Sequence, residues 1–160
     1  MNLLTGETSD EYFGGDVPAA VRALLQDAAR AQADERAVLL WTAQALAPRC
    51  LAVYYALTKH HATRRELAQA ERAARRGLAE AAQQAGLDDT GAPRVAGTPV
   101  DFHGTGPARF WLFTQKALAF LALRSGRPEE ARDRLALITR LEPQARIGDD
   151  VIARLARGSF

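Results

Sequence analysis

Two stretches of the chain, Tyr54 to Gly77 and Gln115 to Pro143, superimpose without a gap, and both carry small or apolar residues at the spacing of two helices folded back on one another. In the second, Leu118, Ala119 and Ala122 are followed nine residues later by Ala131, then by Leu135, Ile138 and Pro143. In the first, Leu57, Thr58 and His61 are followed by Ala70, Ala74 and Gly77 at the same intervals. Small side chains at such positions let antiparallel helices approach closely. A proline after the second helix stops it, because proline lacks the N–H that would continue the helical ladder. A chain that repeats this pattern is constrained towards stacked helical hairpins.

The rest of the chain agrees with an all-α class. Ala, Leu, Arg, Glu and Gln dominate, residues that lose little side-chain freedom in a helix, and β-branched runs are absent. At 160 residues the chain fits one domain, long enough to bury roughly 68–70% of its unfolded surface. Asp16, Pro18 and the face Val21, Leu24, Leu25 and Ala28 predict a helix over about 17–30, after an N-terminal arm at 1–15 in which Tyr12 and Phe13 are candidate docking residues. A second helix, with Ala37, Leu40, Trp41 and Leu46, ends at Pro48. A third begins near Arg49, the turn falls at His60 to Thr63, and a fourth runs over about 64–85 to Gly86. Gly91, Pro93, Gly97, Pro99, Gly104 and Gly106 exclude a helix from 87–106. Loops of that length are uncommon in a compact domain unless functional or disordered. A fifth helix from Pro107 carries Trp111, Leu112, Leu118 and Leu121, and a sixth starts at Pro128. Ile147, Val151, Ile152 and Leu155 predict a last helix over about 145–157.

The spacing from Gln115 to Pro143 resembles the tetratricopeptide repeat, W-x2-L-G-x2-Y, then A-x3-F, then P. The departures are Gln115 where the family prefers Trp and Ala119 where it often has Gly. In the preceding pair Tyr54 stands at the Trp position and Ala82 replaces the closing proline, and in the first pair Ala37 and Trp41 lie one step too close to Pro48. The resemblance implies about three hairpins and a C-terminal cap over residues 16–157; the cap would cover an outer face that has no neighbour. An ordinary helical bundle with alanine-rich seams is the alternative.

In that family the first helices of the pairs line a concave groove that holds a partner segment. Carried onto this chain, the inward spacing names Arg22, Gln26, Arg30, Tyr55, Lys59, Phe113, Lys116, Phe120 and Arg124. Cationic heads beside aromatic faces suit an acidic segment with an apolar anchor; otherwise Phe113 and Phe120 are core residues and the charges are scattered surface. The run Phe110-Trp-Leu-Phe-Thr-Gln-Lys-Ala-Leu-Ala-Phe-Leu, with Gly126-Arg-Pro, Leu141-Glu-Pro and Arg146-Ile-Gly148, is also similar to small repeat proteins encoded beside nitrogen-fixation genes. That similarity implies an accessory role in nitrogenase assembly or protection.

Chemical motifs are sparse. Cys50 is the only cysteine, which excludes an internal disulfide and a cysteine-rich zinc site and makes a reducing cytoplasm the expected setting. No apolar run reaches the ~18 residues that a membrane helix needs. His60 and His61 point about 100° apart on a helix and neither has an i, i+4 ligand partner, so no metal or other cofactor is expected. Asp101-Phe102-His103 lacks an accompanying nucleophile motif, and Gly104-Thr105-Gly106 lacks the Lys-Ser/Thr of a phosphate loop. From Lys59 to Arg76 six cations face only Glu66 and Glu71, but no aromatics interleave to stack bases. The expectation is a non-catalytic adaptor that binds a protein segment. The alternatives are a small enzyme or ligand-binding protein with 87–106 as a lid over Asp101 and His103, or a nucleic-acid regulator using the fourth helix.

Overall fold

The computed structural model describes residues 17–104 and 106–142. The expected arm at 1–15 and the expected last helix at 145–157 lie outside these residues. Among the described residues the chain is all-α, with six helices: α1 (Ala19–Arg30), α2 (Ala33–Leu46), α3 (Leu51–Thr63), α4 (Leu67–Ala85), α5 (Pro107–Arg124) and α6 (Pro128–Leu141). Each packs on the next, and α3 also touches α5. The arrangement is consistent with successive helical hairpins.

Local chemistry accounts for the helix ends. Prolines open α5 and α6, where the missing N–H has no partner to lose, and Glu129 and Glu130 complement the positive end of α6. At the α1–α2 corner the Arg36 guanidinium donates to the carbonyls of Ala28 and Ala31 at 2.8 and 2.9 Å, adding a donor at the helix end where carbonyls run short of backbone partners. Gly86, at φ +67°, closes α4 in a left-handed conformation that glycine adopts without strain.

The turn after α3 differs from the expectation. His60 to Thr63 remain helical, and the chain reverses at 64–66. Arg65 takes φ +60°, the left-handed region that a non-glycine residue enters at a cost, and the Glu66 N–H folds back onto the His61 carbonyl at 2.9 Å. Residue composition shows no glycine there, so the turn carried no sequence signal.

Three apolar clusters form the interior. Tyr54, Phe110, Trp111 and Phe113 join α3 to α5; Val21, Leu40, Val53 and Leu57 join α1, α2 and α3; Ala70, Ala74, Leu118 and Leu121 join α4 to α5. At Gly77 of α4 the helices approach closely: a Cβ there would stand 2.8 Å from the Tyr54 Cβ and 3.1 Å from the Phe110 ring.

The 87–106 connection folds against this core. Leu87 is fully buried, Arg94 Nε donates to its carbonyl at 2.8 Å, and Gly91, at φ +80°, lies against Trp111 and Leu141. Phe102 sets its ring 5.9 Å from that of Trp111.

An ion network ties α4 to α6 and its preceding turn. Glu71 accepts from both Arg127 and Arg75, and Arg75 reaches Glu130 at 2.6 Å. Arg127 and Arg134 also hold Glu130, and Arg134 donates to Gln115 at 2.6 Å. Hydrogen bonding from Arg127 holds the Glu71 carboxyl below its ordinary value, against a smaller opposing effect of burial. A depressed folded-state pKa stabilises the protein above the ordinary carboxylate value and ceases to do so as pH falls through the folded one. Melting temperature is therefore expected to drop as pH falls below about 4.5, with a smaller drop in Glu71→Gln. Thermal melts from pH 7 to 3 check this, and an identical acid profile in the variant would remove Glu71 from the account.

Candidate functional site

A cavity of about 410 Å³ opens where α1, α2 and α3 meet. Leu25, Ala28 and Ala29 of α1 and Ala33 and Leu40 of α2 form apolar walls, while α3 contributes Ala52, Tyr55 and Ala56. Its polar lining consists of Arg36, Lys59, His60, Thr63 and Arg64, with no acidic side chain. Apolar walls with a few polar groups on one side are the usual composition of a binding pocket. Small side chains keep the space open: alanines occupy positions on all three helices where a larger residue would fill it.

Of the residues expected to line a groove, Tyr55 and Lys59 border this cavity. Arg22, Gln26 and Arg30 are exposed on α1 but do not line it; Leu25 and Ala29, one residue earlier, do. The expected register rests on the helix pair that fits the repeat spacing least well, and one position on a helix is a rotation of about 100°. Phe113 and Lys116 lie inside the protein. The Phe113 ring stands 5.5 Å from Tyr55, and the Lys116 ammonium is 2.6 Å from a carboxylate oxygen of the equally buried Glu142. Phe120 is half-buried and Arg124 exposed, and neither lines the cavity. Arg36, His60 and Arg64 were missed. Arg36 and Arg64 reach the cavity from a helix corner and a turn, for which the repeat spacing has no position.

At one end of the cavity the α3–α4 turn builds a polar clasp. The Trp41 indole N–H donates to His61 Nε2 at 3.1 Å, so that nitrogen carries no proton and Nδ1 does. Nδ1 faces Glu66 Oε1 at 3.4 Å, a long contact, while Arg64 donates to the same oxygen at 2.8 Å. This hydrogen bond from Arg64, the leading cause, lowers the Glu66 pKa. His60 is buried, and its Nε2 has no hydrogen-bond partner. Desolvation by burial, the leading cause, lowers the His60 pKa. The two rings stand edge to face with centroids 4.9 Å apart. Side-chain ligand atoms of His60, His61 and Glu66 all lie within 4.8 Å of one another, making these the residues among those described that could hold a metal ion. Helical spacing hid this cluster, since Glu66 reaches the histidines only through the left-handed turn at Arg65.

The other motifs fall elsewhere. Asp101 Oδ1 accepts from the backbone N–H groups of His103 and Gly104 at 2.9 and 3.0 Å, a local turn that does not border the cavity. On α4, Arg72 and Arg76 lie over the Trp41 ring, and Arg75 is held by Glu71 and Glu130. No helix among the described residues is long and apolar enough to cross a membrane. Comparison of the chain with models of known protein families, with curated proteins and with solved structures gave no match.

Proposed function

We propose that the protein is a non-catalytic scaffold of the tetratricopeptide-repeat type, which takes an acidic partner segment with an apolar side chain seated between α1, α2 and α3. The observation that supports this reading is the cavity's lining: alanine and leucine walls bordered by Arg36, Lys59 and Arg64 with no carboxylate among them. An apolar anchor in such a space, with a charge-assisted contact at its edge, is a common basis of segment recognition. Nitrogenase components are the first partners to examine, on the resemblance of the sequence around Phe110.

Ala29 is exposed and Lys59 half-buried, so both can be altered at the cavity with little disturbance of the core. A photo-crosslinking amino acid at Ala56 is expected to capture a partner from the native organism, whereas the same group at Gln69, exposed on α4, is not. Ala29→Trp, which fills the cavity mouth, and Lys59→Glu, which reverses its charge, are each expected to lower capture at least tenfold. Capture undiminished by both changes would contradict the groove reading.

A further inference from the structure

We propose that His60, His61 and Glu66 form a site for a borderline divalent transition ion of the Zn²⁺ class at the α3–α4 turn. Two imidazoles and a carboxylate are the donor set such an ion favours over magnesium or calcium, which prefer all-oxygen sites. Their ligand atoms already lie within 4.8 Å of one another. Around a tetrahedral ion with bonds of about 2.0–2.2 Å, ligand atoms stand closer than that, so the three groups must draw together. Glu66, on the turn and partly exposed, is the one free to move furthest.

The independent observation is His60. The residue is 6% exposed, and its Nε2 is buried with no hydrogen-bond partner. Buried polar atoms are ordinarily satisfied, and an orphan in a native structure calls for an explanation, of which a bound ion is one. His60 and Arg64 both border the 410 Å³ cavity, which gives an ion a route in and leaves its remaining coordination positions to water or to a group of the bound segment.

Coordination at His61 has a definite consequence. In the metal-free clasp Nε2 accepts from Trp41 and the proton sits on Nδ1, facing Glu66. An ion bound at Nδ1 takes its lone pair and moves the proton to Nε2, where it opposes the indole N–H. No proton is lost, but the Trp41–His61 hydrogen bond breaks. Trp41 thereby becomes a built-in reporter of occupancy, one of two tryptophans in the chain.

The test is calorimetric titration of the full-length, tag-free protein with ZnCl₂, in parallel with tryptophan emission. The expected result is saturable 1:1 binding with a change in emission that disappears in Trp41→Phe. Affinity is expected to fall at least tenfold in His60→Ala and in Glu66→Gln, with helical circular dichroism retained. Glu66→Gln changes a surface turn, so it keeps the test decisive even if His60→Ala fails to fold. No stoichiometric binding, or an affinity unchanged in Glu66→Gln, would overturn the site. Partner capture by the cavity does not depend on the outcome, so the scaffold reading stands or falls separately.

Discussion

Lys116→Met is expected to cost about 3–5 kcal/mol of unfolding free energy, because it leaves the Glu142 carboxylate buried without its counter-charge. Lys116 and Glu142 side chains are 3% and 1% exposed, with ammonium and carboxylate 2.6 Å apart. The contact is an ion pair, and neither oxygen of Glu142 has a hydrogen-bond partner besides it. His103 Nδ1 stands 3.8 Å from the other oxygen, too far to substitute. A carboxylate so placed depends on the lysine. The double change Lys116→Met with Glu142→Leu is expected to regain most of the loss, since apolar replacement of a buried pair is often neutral or better. Urea unfolding of the two variants checks this, and single and double variants of equal stability would contradict it. Charge reversal at Lys116 is consequently a poor probe of binding: it would place two buried carboxylates together and unfold the protein.

Trp111→Ala is expected to cost a similar amount, about 3–5 kcal/mol, the range for removing a large aromatic side chain from a packed core. Trp111 is 1% exposed and does more than fill space within α5. Phe102 and Gly91 of the long connection rest on it, and Leu141 of α6 packs against the same apolar cluster. Its removal should therefore loosen the 87–106 segment as well as lower global stability. Limited trypsin digestion is expected to cut after the exposed Arg94 faster in the variant than in the parent at a temperature where both remain folded. Equal cleavage rates would show that the connection does not depend on Trp111 for its order.

Much of this architecture was legible because its signals are local. Prolines at 107 and 128 open helices, Gly86 closes one, and the alanine and glycine spacing around Gly77 marks a close helix approach. The site was less legible, for three physical reasons. Periodicity cannot separate an inward aromatic from a groove aromatic, and Phe113 proved to pack on Tyr55. A lysine on a helix reads as surface, and only the three-dimensional position of Glu142 shows Lys116 to be an interior charge. The clasp around His61 joins α2, the end of α3 and a turn closed by a left-handed arginine, a conformation that residue identity does not announce.

Nuclear magnetic resonance mapping of the captured partner segment onto backbone amides tests the central claim most directly. The scaffold account predicts that the largest shift changes fall at Leu25, Ala29, Ala52, Ala56 and Lys59, around the cavity between α1, α2 and α3. Changes concentrated at the exposed Arg72 and Arg76 of α4, with the cavity residues unmoved, would contradict it.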